Sequence, residues 1–172
     1  MKNNNRNIKR RLYRLSLIGN HLSRMKYFRG HGVHSPFVYG LVRSVFMSKR
    51  GTQKEVSQFI GDLMAAGITI RRARQIDGAM QYSGASSYVI DSAECRADFC
   101  VLSPNFDMAM FATAYHNALA NEATLVICQP YATPERQQEV MRLVELHQST
   151  SVDNRAYILF FNNKLPKQHF KL

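Results

Sequence analysis

The sequence predicts an α/β protein in which helices cover both faces of a small, mostly parallel sheet, preceded by a basic helical extension. After residue 67, apolar runs of strand length alternate with segments of helical periodicity, which is typical of βαβ units. Residues 1–54 contain thirteen Lys and Arg and no Asp or Glu, whereas residues 55–172 contain ten basic and twelve acidic residues. We therefore divide the chain into a basic helical extension, residues 1–54, and an α/β domain, residues 55–172.

The basic extension is predicted to form a helix. Between Ile8 and Phe28, apolar residues recur three or four positions apart, which is the spacing of one helix face, and arginines occupy the other faces. The formal net charge of +11 comes from this extension, and such a charge attracts polyanions. Residues 6–29 are therefore predicted to hold nucleic acid or an anionic membrane surface. A solvated helix face without a specific partner is the alternative.

The stretch GHGVHSPF is predicted to join this helix to a second one. Ser35 and Pro36 suit the N-cap and the first helical position. We expect either that His34 and Ser35 fix the turn while Phe37 packs on the domain, or that these three residues cover a ligand pocket. No metal is predicted, because His31 and His34 have no third ligand near them in sequence.

The later elements are each predicted from a local pattern. A third helix runs from the Thr52 cap, with Glu55 three positions on, to a closing Gly67. The elements after it are a strand into a glycine turn in TIRRARQIDG (69–78), a short helix in GASSYVIDSAE (84–94), a strand in ADFCVLSPN (97–105), a helix in FDMAMFATAYHNALAN (106–121), a strand in ATLVICQPY (123–131), a helix in PERQQEVMRLVELHQ (134–148) and a strand in RAYILFFNN (155–163).

The segments GVHSPFVYGLV (32–42) and YILFFNNKLPKQHFKL (157–172) resemble those of a bacterial family of class I S-adenosylmethionine-dependent methyltransferases related to small O-methyltransferases. The resemblance implies a reduced Rossmann-like sheet, a docked tail, S-adenosylmethionine as cofactor, and a small or macromolecular methyl acceptor of unknown identity. Such methyltransferases usually have seven strands. We expect fewer here, because the stretch between Glu94 and Ala97 is too short for a further βα unit.

The resemblance also implies positions that bind the cofactor. The acid and glycine turn after the family's first strand correspond to Asp77, Gly78 and Gly84, and the end of its fourth strand corresponds to Ser103. The catalytic residues stay unknown.

Three acidic positions that the family uses are neutral or missing in this chain. The acid that ends the second strand has no counterpart, the fourth strand ends in SPN (103–105), and the fifth ends in CQP (128–130). A neutral amide cannot replace a carboxylate as a base or as a hard-metal ligand. We therefore expect weak or absent binding of S-adenosylmethionine. The chain is either a methyltransferase homologue with degenerate or lost activity, or a non-catalytic binding module that uses its basic N-terminal helices.

The three cysteines, Cys95, Cys100 and Cys128, match neither a disulfide framework nor a zinc motif, so a cytoplasmic protein is expected. Cys128 follows an apolar run at a strand end. It is either a buried structural thiol or a nucleophile that needs a nearby base. No apolar run approaches the roughly 20 residues that span a bilayer.

Overall fold

The computed structural model describes residues 34–47, 56–162 and 165–172, together with Tyr13 and Leu15. Its helices are α1 (Pro36–Leu41), continued by a π-helical segment (Val42–Phe46), α2 (Gln58–Ala65), α3 (Ile70–Ser83), α4 (Phe111–Ala120), preceded by a 3-10 turn (Met108–Met110), and α5 (Pro134–Leu146). Its strands are β1 (Tyr88–Ile90), β2 (Phe99–Leu102), β3 (Thr124–Cys128), β4 (Thr150–Asp153), β5 (Tyr157–Phe160) and β6 (Gln168–Lys171).

The six strands form one sheet in the order β1-β2-β3-β5-β4-β6. The pairs β1 with β2, β2 with β3 and β4 with β6 are parallel, whereas β5 is antiparallel to both of its neighbours. Five strands therefore point one way and β5 points the other. The predicted α/β class and mostly parallel sheet are confirmed. Within the described residues the strands number six, fewer than seven as expected.

Side chains of the central strands alternate between two apolar cores. Phe99 and Val101 of β2 face the core that α1, α2 and α3 cover. Cys100 and Leu102 face the opposite core, which α4 and α5 cover. This alternation follows from the two-residue period of a strand. Because both faces are covered, β2 and β3 are buried along their whole length.

The strand predicted in TIRRARQIDG is wrong, because this segment is the first half of helix α3. Ala73, Ile76 and Ala79 are fully buried at a spacing of three, so one face of the helix packs on the sheet while its arginines point elsewhere. The helix ends at Gly84, whose positive φ of 76° forms the left-handed cap. Asp77 and Gly78 therefore lie inside a helix.

The short helix predicted in residues 84–94 is also wrong, because strand β1 occupies its centre. Only three residues pair with β2, Tyr88, Val89 and Ile90. A strand of three residues is too short to show a period of two, so pairing with its neighbour decided the outcome.

Strands β4 and β6 were not predicted. The sequence of β4, TSVD, is polar although it is buried, so it lacks the apolar signal of a central strand. Its polar side chains bond to the tail instead: Ser151 Oγ lies 2.8 Å from His169 Nδ1, and Thr150 Oγ1 donates to the Pro166 carbonyl at 2.9 Å. The tail therefore docks as an edge strand, as the resemblance implied.

Several helix boundaries agree with the predictions. Ser35 Oγ accepts a hydrogen bond from Val38 N with Pro36 in the first turn, and Thr133 caps α5 in the same way. Helix α2 begins after the cap residue Ser57, later in the chain than the predicted cap at 52, and only its closure at Gly67, with a φ of 86°, is as predicted. The caps predicted at 52 and 55 lie outside the described residues. So does the helix predicted over residues 8–28, apart from Tyr13 and Leu15, which are helical.

The connection between the parallel strands β1 and β2 spans only residues 91–98 and contains no helix. It is held by side chains at the end of α4, since Asn117 Nδ2 donates to the Ala93 carbonyl at 2.9 Å and Asn121 Nδ2 donates to the Cys95 carbonyl at 2.9 Å. At the end of this connection, the Asp98 carboxylate accepts hydrogen bonds from the hydroxyl and N–H of Ser86 and from the N–H of Ser87. These bonds lower the pKa of Asp98 to about 2.

Gly40 permits a close contact between α1 and α3. The Tyr82 hydroxyl donates to the Phe37 carbonyl at 2.9 Å, and the two rings are 5.3 Å apart. A Cβ at Gly40 would overlap the Tyr82 hydroxyl and lie 3.2 Å from its Cζ. We expect Gly40→Ala to lower the free energy of unfolding by about 1–3 kcal/mol through overpacking.

The matched control for Gly40→Ala is Gly61→Ala in α2, where an added Cβ would meet no atom within 4 Å. This change should stabilise the protein by about 0.5–1 kcal/mol, because alanine is the better helix former. Urea unfolding, followed by circular dichroism, measures the free energy of unfolding of both variants. Equal effects of the two substitutions would contradict the proposed contact.

His147 is 1 % exposed and lies between two aromatic rings, with Nδ1 at 3.1 Å from the Tyr115 hydroxyl. Burial lowers the pKa of His147 below its ordinary value. The imidazole is therefore neutral in the folded state and charges more readily in the unfolded state. Stability from this source is present above about pH 6.5, the unfolded pKa, and is lost as the pH falls below it.

We expect the free energy of unfolding to fall between pH 7 and pH 5, and His147→Phe to make that dependence shallower. Urea titrations at several pH values measure the slope. The control is His116→Gln, on an exposed residue of α4, which should keep the slope of the unsubstituted protein. The same slope in His147→Phe would show that this imidazole does not titrate on unfolding.

Candidate functional site

A cleft of about 390 Å³ opens at the edge of the sheet where the parallel strands end. Its walls are the segment after β3, the turn before β5 and the first turn of α3. Because β5 runs opposite to β3, its start lies at the same edge as the end of β3. The described residues that line the cleft are Gly67, Ile68, Thr69, Arg72, Ile76, Pro104, Cys128, Gln129, Tyr131, Ala132, Arg155, Ala156 and Tyr157. Carboxyl ends of parallel strands are the usual address of ligand sites in α/β proteins.

Cys128 and Tyr157 form the inner wall of the cleft. They are direct partners across the β3–β5 ladder and face the same core. Burial raises the pKa of Cys128 to about 12, although the nearby Arg136 cation opposes that rise. Because its pKa is raised, the Cys128 thiol stays protonated near neutral pH. Only the thiolate form is an effective nucleophile. Burial therefore favours the interpretation of Cys128 as a structural thiol over its interpretation as a nucleophile.

The cleft carries positive charge at its mouth. Arg72 from α3 and Arg155 from the turn before β5 border it, and none of the described lining residues is an acid or a histidine. Asp153 lies just behind, where its carboxylate accepts hydrogen bonds from the Tyr131 hydroxyl and, at 2.7 Å, from Arg155 N. The Asp153 carboxylate thus positions Tyr131, which lines the cleft, and stabilises the β4–β5 turn.

Arg136 holds the ends of β2 and β3 together behind the cleft. It is 4 % exposed, and its Nη2 donates to the carbonyls of Ser103 at 3.0 Å and of Cys128 at 2.8 Å. Its guanidinium lies 4.7 Å from the centre of the Phe111 ring. Burial lowers the pKa of Arg136, but an arginine keeps its proton at neutral pH. A buried cation therefore adds to the positive potential of this edge.

The structure brings the residues predicted to bind a cofactor to different places. Ser103 is fully engaged, since its N–H donates to Asp91 Oδ1 at 2.7 Å and its Oγ accepts from Asn105 N at 3.2 Å. The Asp77 carboxylate accepts one hydrogen bond from the Ser57 hydroxyl, next to α2, and another from the Gln81 side chain within α3. Burial raises the pKa of Asp77.

The predicted glycine turn does not exist as a turn. Gly78 lies inside α3, where an added Cβ would come within 3.2 Å of Val45, and Gly84 caps the far end of the same helix. None of Asp77, Gly78, Gly84 and Ser103 lines the cleft. For Asp77, Gly78 and Gly84, helix α3 and its cap take the place of the predicted turn, and the cofactor role of the four residues stays a prediction.

His34, Ser35 and Phe37 do not border the cleft. Phe37 packs edge-on against Phe161, with ring centres 4.9 Å apart. Phe161 directly follows the residue of β5 that pairs with Leu125 near the start of β3. Phe37 therefore lies at the opposite edge of the sheet from the cleft. The structure therefore shows the Ser35 cap and a packed Phe37, and the role of this segment as a cover over a pocket stays a prediction.

Four residues at this edge were missed by the sequence interpretation. Asp91 directly follows β1 with a φ of 54° and holds Ser103 N, and it was overlooked because β1 was predicted as a helix. Arg72 was assigned to a strand. Arg155 and Tyr157 open the last predicted strand, but sequence carries no signal for the direction in which that strand runs. An antiparallel β5 is what brings both to the cleft.

The described residues contain no group of three or more His, Cys, Asp or Glu arranged to hold a metal ion. Within the same ranges, no helix combines the length and the apolar character that a membrane-spanning segment needs. Comparison of the chain with protein-family models, with curated proteins and with solved structures gave no match.

Proposed function

We propose that the protein is a methyltransferase-derived α/β protein that binds its ligands without transferring methyl groups. One observation carries this proposal: the described lining of the cleft at the strand ends has two arginines and neither a carboxylate nor an imidazole. The proposal further holds that the sheet is a reduced Rossmann-like sheet. Its strand order and its cleft at the carboxyl edge support that assignment, as do the resemblances of segments 32–42 and 157–172.

Electrostatics argues against S-adenosylmethionine in this cleft. The reactive sulfonium of that cofactor is a cation, and Arg72, Arg155 and the buried Arg136 make the edge positive. Asp91 directly follows β1, where an acid could bind a cofactor, but its Oδ1 already accepts a hydrogen bond from the Ser103 N–H. A charge-assisted hydrogen bond missing from a buried site typically costs about 1.5–3 kcal/mol, or roughly tenfold or more in affinity.

Among the described residues that line the cleft, none has the carboxylate or imidazole that usually removes a proton from a methyl acceptor. A general base must lie within hydrogen-bonding reach of that proton and have a suitable pKa. Cys128 is kept protonated by burial, and burial raises the pKa of Tyr157 well above its ordinary value. Both polar groups of the inner wall are therefore neutral near pH 7.

Calorimetric titration with S-adenosylmethionine and S-adenosylhomocysteine should give no binding in the micromolar range, and a radiolabel-transfer assay should give no methylated product. The matched variants are Asp91→Asn, which keeps the bond to Ser103 N, and Glu122→Gln, which changes an exposed acid. Micromolar binding that is lost in Asp91→Asn and kept in Glu122→Gln would refute the proposal and make Asp91 a cofactor ligand.

A second candidate function concerns the basic extension, which we propose holds a polyanion, with nucleic acid as the first choice. Thirteen basic residues within residues 1–54 are balanced by no acid. In the described part of this extension, the Tyr13 hydroxyl donates to the Tyr131 carbonyl at 3.1 Å. This contact brings the extension to the domain beside the cleft.

We expect the intact chain to bind single-stranded RNA without sequence preference, with an affinity that falls steeply as salt rises. Replacing Arg10, Arg11 and Arg14 by Gln should reduce the slope of log affinity against log salt by about two, since single strands give about 0.7 per contact. The control replaces Arg96, Arg142 and Lys171 by Gln, an equal change of charge on exposed domain residues.

Fluorescence anisotropy at several salt concentrations measures this slope, with vesicles of anionic and of neutral lipid as a parallel assay. Equal slopes for both triple variants would mean that charge alone, wherever it lies, governs binding. Binding to anionic vesicles without binding to RNA would identify a membrane surface as the polyanion. Salt-insensitive behaviour of all three proteins would leave the extension as a solvated helix face.

A further inference from the structure

The Tyr157 hydroxyl is a polar group without a partner inside the cleft. The side chain is 1 % exposed and lines the cleft, and no described atom forms a hydrogen bond with its oxygen. The Asn154 side chain lies close by, but outside hydrogen-bonding geometry for that hydroxyl, and its Oδ1 accepts the N–H groups of Ala156 and Tyr157 instead. Burying an unsatisfied hydroxyl costs free energy, so its persistence calls for an explanation.

The opposite wall of the cleft is the positive end of a helix. Helix α3 has 14 residues, begins after Thr69, and has no side-chain cap and no acid in its first turn. The Arg72 N–H donates to the Thr69 carbonyl at 2.8 Å, and the N–H groups before it belong to Ile70 and Arg71, which do not line the cleft. This helix end therefore acts on the cleft through its dipole, which is positive there. Arg71 and Arg72 stand in that turn, where a basic side chain is unfavourable unless an anion is nearby.

Arg72 connects this helix end to the inner wall. Its Nη1 donates to Gln75 Oε1 at 2.8 Å, and its guanidinium borders the cleft. The guanidinium is close enough to the Tyr157 hydroxyl to lower the pKa of that group, partly offsetting the larger rise caused by burial. Arg72 and Tyr157 therefore line the same cleft, next to the positive end of α3.

We propose that this cleft binds a small organic phosphate monoester, whose phosphate accepts hydrogen bonds from the Arg72 guanidinium and from the Tyr157 hydroxyl, next to the positive end of α3. A helix N-terminus with a nearby arginine is a general anion-binding arrangement. A phosphate dianion carries twice the charge of a carboxylate, and Arg72, Arg155 and the positive end of α3 lie at this cleft. Phosphate is therefore the better match.

The remaining lining accommodates the organic body of the ligand. Ile68, Ile76, Pro104 and Ala132 give apolar surface next to the donors. A volume of about 390 Å³ lies within the usual range for small-molecule pockets. Asp153, the acid behind the wall, is engaged with Tyr131 and Arg155 N and does not line the cleft. This inference rests on the proposed binding role of the cleft and names the chemistry of its ligand.

The test uses the full chain at constant ionic strength and three probes: inorganic phosphate, phenyl phosphate and benzoate. Calorimetric titration should give the tightest binding for phenyl phosphate, because it combines the dianion with an apolar body. Arg72→Gln should weaken that binding about tenfold or more, since a hydrogen bond to a charged group is lost. Arg71→Gln is the matched control, because this residue is in the same turn but does not line the cleft.

Tyr157→Phe is a second, independent variant. Without ligand it should be as stable as the unsubstituted protein or more stable, because it removes a buried hydroxyl that has no partner. It should nevertheless weaken phenyl phosphate binding about fivefold. A hydroxyl with only a structural role would leave the binding unchanged.

Three results would overturn the inference: no binding of phenyl phosphate at millimolar concentrations, equal weakening by Arg72→Gln and Arg71→Gln, or benzoate binding as tightly as phenyl phosphate. Methyl transfer from S-adenosylmethionine would overturn the proposed function instead and leave the phosphate titrations unaffected. Failure to bind phenyl phosphate, in turn, would leave the absence of methyl transfer standing.

Discussion

The reversed direction of β5 is the constraint on which the rest of the structure depends. Inserted between β3 and β4, this strand forms antiparallel ladders on both sides and is buried along its whole length. The turn that precedes it is fixed by Asn154, whose Oδ1 accepts two N–H groups, and by Arg155 in the left-handed region with a φ of 70°. Because the strand is reversed, its first residues lie where the neighbouring strands end, and a cleft forms there.

Electrostatics at this edge follows from which groups are buried. Arg136 donates to carbonyls at the ends of β2 and β3, and the Asp91 carboxylate lies close enough to stabilise its charge. Two acids behind the cleft, Asp91 and Asp153, hold backbone N–H groups and a tyrosine hydroxyl. Arg72 and Arg155 border the mouth of the cleft, and this positive lining is the basis of the proposed anionic ligand.

The small size of the sheet has its own physical basis. A parallel pair normally needs a crossover of a dozen or more residues with a helix, yet β1 and β2 are joined by residues 91–98 alone. The connection is possible because Asn117 and Asn121 of α4 satisfy its carbonyls, and Asp98 satisfies the N–H groups ahead of β1. The tail then extends the opposite side of the sheet as β6.

The sequence by itself determined the α/β class, the apolar strands β2, β3 and β5, helices α4 and α5, and caps such as Ser35, because each has a strong local signal. Tertiary structure alone decided that residues 70–83 are helical, that polar β4 is a strand, and that Tyr157 and Arg72 line the same cleft. The reason is physical: local periodicity encodes which face of an element is apolar, whereas strand order and direction arise from pairing between residues far apart in the chain. The cleft is built from those pairings.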